Sequence, residues 1–136
     1  MKAIELVENP LIPSFAEEKI LQAQGYRFIA GIDEVGRGAL AGPVAAAAVI
    51  LPHRIRAGWL KMVRDSKQLT SEKREVLAVH IHSVAVAIGI GFVSSEIIDK
   101  RGIVKSTHLA MRLAIKQLSP PADSTRVKPS RQRVCR

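Results

Sequence analysis

The sequence predicts an α/β domain in which a small sheet is flanked by helices. Three strand-like runs point to it: Arg27–Asp33, Val44–Leu51 and Val86–Val93. So do two helical segments, one opened by Thr70 or Ser71 and one running from Ile103 to Leu118. Arg27–Asp33 is apolar at nearly every position. Val44–Leu51 is small and β-branched on both sides, which suits a strand buried on both faces. These two read as an antiparallel pair with a wide connecting loop.

Each element has its own local signal. Ser14-Phe15-Ala16-Glu17, preceded by Pro13, reads as a capping box for a helix ending near Gln24 and stopped by Gly25. Gly36 to Gly42 is turn material, and Pro52 closes the second strand. Arg54–Leu69 is mostly polar and irregular. In the following helix Leu77, Ile81 and Val84 share one face, with Glu72 in its first turn. Ser94 or Ser95 caps a short turn over Glu96–Lys100. The Ile103–Leu118 helix places Thr107, Ala110, Met111, Ala114, Ile115 and Leu118 on one side, and Ser119-Pro120-Pro121 stops it.

Composition bounds the class of protein. The 136 residues fit one small domain, and 47% of them are hydrophobic, which excludes a disordered chain. Aromatics make up 4%, so Ala, Val, Ile and Leu must build the core. Cys135 alone excludes an internal disulfide and points to the reducing cytoplasm. Met1–Asn9 lacks the layout of a signal peptide, and Val44–Leu51 is too short to span a bilayer, so no membrane role is expected. The formal charge of +9 favours anionic partners such as nucleic acid. Five of the cations (Arg126, Lys128, Arg131, Arg133, Arg136) crowd into Ser124–Arg136, which has no acid. The expected organisation is a helical lead-in over 1–25, a partial α/β domain over 26–123 and a basic, disordered tail over 124–136. A strand should follow the last helix. The tail is too polar for a buried strand, so the domain reads as cut short, with one edge of the Arg27–Asp33 strand unpaired.

The chemistry concentrates in Gly31-Ile32-Asp33-Glu34-Val35-Gly36-Arg37-Gly38. Mg²⁺ and Mn²⁺ take hard oxygen ligands, and Asp33 and Glu34 supply two carboxylates at a strand end. Neighbours on a regular strand point to opposite faces, so both reach one site only where the strand ends or bulges at Glu34. Taken alone, an acidic pair is more often a solvated strand end than a metal site. Gly36, Arg37 and Gly38 suit anion binding through backbone N–H groups, or an ordinary turn. The spacing and the strand that follows exclude a dinucleotide fingerprint. Asp65-Ser66-Lys67 sits before a helix, where Ser66 and Lys67 could meet phosphates; a solvated turn explains it as well. His80 and His82 lie on different helix faces, His108 stands alone, and all three have bland readings.

The same residues carry a resemblance. Gly31–Gly38 with Leu40-Ala41-Gly42-Pro43-Val44 closely resembles the first motif of ribonuclease HII. Asp65-Ser66-Lys67-Gln68-Leu69 with Lys73-Arg74-Glu75 resembles its second conserved stretch. Ile97-Ile98-Asp99 through Ile103, Thr107 and Ala110-Met111 resembles its third. The resemblance covers about Glu17 to Asp123, with Val35 and Ala39 as mild departures. It implies a ribonuclease H-like mixed sheet flanked by helices. It implies metal-dependent hydrolysis, with Mn²⁺ or Mg²⁺, of the RNA strand of RNA–DNA hybrids and of single ribonucleotides embedded in DNA. Cleavage would fall on the 5′ side of the ribonucleotide. Asp33 and Glu34 match metal-binding catalytic carboxylates; Gly36, Arg37 and Gly38 match the loop that senses the 2′-hydroxyl; Ser66 and Lys67 match substrate-backbone contacts. The family's third catalytic Asp comes from the strand after the last helix, and Asp123 is a poor substitute for it. The resemblance thus implies an incomplete centre in a chain that is monomeric if folded, poorly stable and nearly inactive. The competing readings are a non-catalytic nucleic-acid-binding fragment, a gene remnant, and a small anion-binding α/β module.

Overall fold

The computed structural model describes residues 13–36, 42–64 and 66–127. Its elements are α1 (Ala16–Ala23), β1 (Ile29–Val35), β2 (Val44–Ile50), α2 (Ser71–Val84), β3 (Ala87–Val93), α3 (Ser95–Arg101), α4 (Ile103–Lys116) and β4 (Ser124–Val127). Short 3₁₀ turns, Gly58–Met62 and Ser66–Gln68, punctuate the connection from β2 to α2. The strands form one mixed sheet in the order β3-β2-β1-β4. β1 pairs antiparallel with β2, and β2 with β3, while β4 runs parallel to β1. The expected α/β class, a mixed sheet with flanking helices, is therefore the observed one.

One face of the sheet carries the core. Ala30, Ile32, Val44, Ala46, Ala48, Ile50 and Val93 are buried there with Ala110, Ala114 and Leu118. The small residues let α4 lie very close to β3. A Cβ on Gly91 would come 2.1 Å from the Ala110 carbonyl oxygen, and one on Gly89 would come 1.9 Å from that of Ala114. These contacts show that α4 runs antiparallel to β3, so its first turns lie under the end of the sheet where β1 finishes. The Gln117 side chain then reaches round the edge of β3. Its amide donates to the Ile90 carbonyl (2.6 Å) and accepts the Ile90 N–H (3.0 Å), occupying backbone groups that an edge strand otherwise exposes.

The structure corrects the expectation for the C-terminal region. Ser124–Val127 is a paired strand, with Ser124 opposite Ile29 and Val127 opposite Ile32, so both sides of β1 have neighbours in the sheet. The polarity of Ser124–Val127 excludes a buried strand but not an edge strand. An edge strand holds mainly by its backbone ladder, and β4 alternates half-buried and exposed positions. Arg126 further ties it to Glu17 of α1 through an ion pair. The rest of the expected tail, 128–136, lies outside the described residues.

Smaller differences have local causes. Ser14 does not form the capping box; Phe15 occupies the N-cap position, and Ser14 Oγ accepts the Ala16 N–H at 3.4 Å. The turn expected over Glu96–Lys100 is the two-turn helix α3, capped by Ser94 Oγ on the Ile97 N–H. Thr70 caps α2 by accepting the Lys73 N–H at 3.2 Å, as its sequence position suggests.

Candidate functional site at the end of the central strand

β1 delivers Asp33 and Glu34 to the end of the sheet. Its ladder to β2 is regular: Asp33 pairs with Ala47, Glu34 with Ala46 and Val35 with Ala45. The strand neither bulges nor stops at Glu34, which corrects the geometry required for both acids to converge. Alternation sends Asp33 to the open face, where it is exposed, and Glu34 to the face covered by α4, where it is half-buried. Asp33 Oδ1 accepts the backbone N–H of Glu34 at 2.9 Å. The two carboxylates thus flank the end of one strand from its two sides.

Just beyond, the chain turns at Gly36. Its φ of +98° lies in the left-handed region, and a Cβ there would sit 2.5 Å from the Pro43 carbonyl oxygen. Only glycine allows this approach. It brings together the two sides of the loop that joins β1 to β2, beside the carboxylates. Arg37 and Gly38 fall in that loop and lie outside the described residues, as does Asp65. Ser66 and Lys67 form a 3₁₀ turn just before α2, with Lys67 exposed.

Asp123, weighed above as a substitute ligand, is used elsewhere. Its carboxylate accepts the N–H groups of Arg27 and Phe28, each at 2.9 Å. These donors, the Arg27 N–H foremost, hold the Asp123 carboxyl below the usual carboxylate range, against a smaller opposing effect of desolvation. The clamp explains why β1 begins at Ile29 and not at Arg27: the two preceding N–H groups are spent on Asp123. It also puts Asp123 at the opposite end of β1 from Asp33, about 15–20 Å along the strand. A cavity of about 230 Å³ lined by Arg27, Phe28, Leu51, Pro52, His53 and Val86 lies at that end too, remote from the acidic pair.

Among the described residues, no three His, Cys, Asp or Glu side chains gather where a metal ion could be held. The donor chemistry of Asp33 and Glu34 nonetheless suits a hard divalent cation, which is commonly bound through one or two carboxylates plus substrate phosphates. Sequence reasoning missed the Asp123 clamp, and it missed the partner of His80, which stacks on Trp59. A carboxylate immediately before a strand was the available signal for the first; nothing in the residue spacing marked the second.

Comparison with known proteins decides the lineage. The ribonuclease HII family model matches residues 30–133, from β1 through β4 and beyond. This chain belongs to the ribonuclease HII family. It is 53% identical over 113 residues to a ribonuclease HII of Dehalococcoides mccartyi, covering 83% of this chain and 53% of that protein. It is 52% identical over 113 residues to one from Roseiflexus castenholzii, with 82% and 50% covered. It is 56% identical over 106 residues to one from Geobacillus kaustophilus, with 78% and 40% covered. The chain thus spans about half the length, or less, of these ribonuclease HII relatives. The family match continues into β4, past Asp123 where the sequence resemblance ends. No helix among the described residues is long and apolar enough to cross a membrane.

Proposed function

We propose that this chain takes part in metal-dependent cleavage of the RNA strand of RNA–DNA hybrids, including single ribonucleotides embedded in DNA. Asp33 would hold the divalent cation, Mn²⁺ or Mg²⁺, from the open face, and Glu34 would reach it round the end of β1 from the other face. Bound there, the cation would supply Lewis-acid activation of the phosphodiester and of the attacking water. The observation that carries the reading is the regular delivery of both carboxylates to the end of β1, beside a turn that only Gly36 can make.

The chain's own groups have distinct tasks in this reading. Gly36, Arg37 and Gly38 meet the ribose, whose 2′-hydroxyl is what separates RNA from DNA. Glycines leave room for backbone groups to approach it. Ser66 and Lys67 hold the phosphate backbone and set its register without reading sequence. Attack by water on the 5′ side of the ribonucleotide leaves a 3′-hydroxyl and a 5′-phosphate.

Two carboxylates fix a cation less well than three or four, so cleavage by this chain alone is expected to be slow. The test uses the purified chain and a duplex with one embedded ribonucleotide. Expected is a cut at the ribonucleotide that requires Mn²⁺ or Mg²⁺. Asp33→Asn should lower it at least ~100-fold, consistent with loss of a metal-holding group, with melting temperature unchanged. Salt-dependent binding with no metal-dependent cut would instead support the second reading, a non-catalytic nucleic-acid-binding fragment. The chain's charge of +9 favours that alternative.

A further inference from the structure

The connection from Leu51 to Thr70 joins β2 to α2, and long irregular connections in compact domains are usually functional. It carries Arg54, Arg56, Lys61, Arg64 and Lys67. Arg64 faces inward: its guanidinium donates to the Lys61 and Val63 carbonyls at 3.0 and 2.7 Å, closing the turn Gly58–Met62. Lys61 and Lys67 are exposed.

Little apolar burial holds this segment down. The turn Gly58–Met62 has no buried residue, and α2 buries only Leu77. What joins them is a ring pair. Trp59, the only tryptophan in the chain, lies face to face with His80 of α2. The ring centroids are 5.4 Å apart and the planes differ by 7°, a geometry that fits offset stacking. Arg74 adds a second tie, from its guanidinium to the Leu69 carbonyl (3.2 Å) and Ser71 Oγ (3.0 Å).

We propose that the Trp59–His80 stack is a positioning pair that fixes the Gly58–Met62 turn on α2 and so sets where the connection delivers Lys67 to the phosphate backbone of the substrate. This rests on the reading of Lys67 given above. A lysine is a point charge on a flexible stem, so its aim comes from the backbone beneath it. A segment already docked by the ring pair loses less conformational freedom when the duplex arrives.

The test is binding of the full chain to a labelled duplex with one ribonucleotide, measured over a salt series. His80→Ala is expected to weaken binding about five- to ten-fold, the scale of one aromatic pair. It should also lower the salt slope by about one, as Lys67→Ala does. The double variant should bind no more weakly than Lys67→Ala alone, because both act through one contact. His80→Phe and Trp59→Phe keep a stacked ring and should restore affinity. Additive losses, or a His80→Ala protein that binds like the parent while Lys67→Ala binds weakly, would overturn the positioning role. A Lys67→Ala protein with undiminished affinity would instead sink the substrate reading of Lys67 itself. A second measurement needs no substitution. Trp59 emission should hold its wavelength and intensity as duplex is added, since the indole stays on His80. Strong quenching would place Trp59 on a nucleic-acid base and overturn the proposal.

Discussion

The two faces of the sheet share the same strands and treat side chains in opposite ways. On the face covered by α4, Gly89 and Gly91 lie so close to helix carbonyls that a single methyl group has no room. On the other, Val35 is 69% exposed, Phe92 65% and Ile90 41%. β1 carries one acid to each: Glu34 to the packed side and Asp33 to the open side. The difference teaches how a short strand can be both fixed and available. Packing from one side holds the end of β1 in place, and the opposite side of that end stays open to solvent.

The largest expected effect tests the packed face. Gly91→Ala would drive a Cβ to 2.1 Å from the Ala110 carbonyl oxygen and 2.9 Å from the Ala114 nitrogen. These are backbone atoms and cannot rotate aside, so α4 must lift. Overpacking of this kind costs about 3 kcal/mol or more, a large share of the stability of a small domain. Chemical denaturation followed by circular dichroism should show the midpoint collapse. A Gly91→Ala protein as stable as the parent would mean that α4 does not sit against β3 as described.

A smaller effect is expected where β1 begins, at the end remote from Asp33. Asp123 ties Arg27 and Phe28 to the segment that leads into β4. Its folded carboxyl is held below the usual range, so it favours the folded state whenever it is ionised in the unfolded chain. That contribution is complete above the ordinary carboxylate range and is lost as pH falls through the lower folded value. Asp123→Asn cannot ionise. Its melting temperature should lie below the parent's at neutral pH, and the gap should narrow in acid. A gap that stays constant with pH would assign the loss to shape and not to charge.

Much of this architecture was legible in the sequence, and the failures share a cause. Val44–Ile50, Ala87–Val93 and Ile103–Lys116 follow from apolar patterning, because each buries its own residues. Thr70 was readable because a cap is a local bond. β4 was not, since Ser124–Val127 is held by its ladder to β1 and by Glu17, neither of which leaves a mark in local composition. The candidate site divides the same way. Asp33, Glu34 and Gly36 were legible from residue type and order. Their placement on opposite faces required the register, and the stack of Trp59 on His80 required the path of a loop.

The smallest expected effect sharpens the contrast from the other side. Phe92 is an aromatic on the edge strand β3, opposite Ala45 and pointing away from α4. An exposed aromatic of this kind contributes little when nothing covers it. Phe92→Thr keeps a β-branched residue suited to a strand. The change in unfolding free energy should stay within ~0.5 kcal/mol, the usual range for a surface site. The value matters because it is the control for Gly91→Ala one residue away on the same strand. Two neighbouring substitutions that differ by several-fold in cost would show the sheet to be one-sided in solution. A loss from Phe92→Thr approaching that of Gly91→Ala would show that something packs on the open face, and a concentration-dependent melting temperature would identify it as a second copy of this chain.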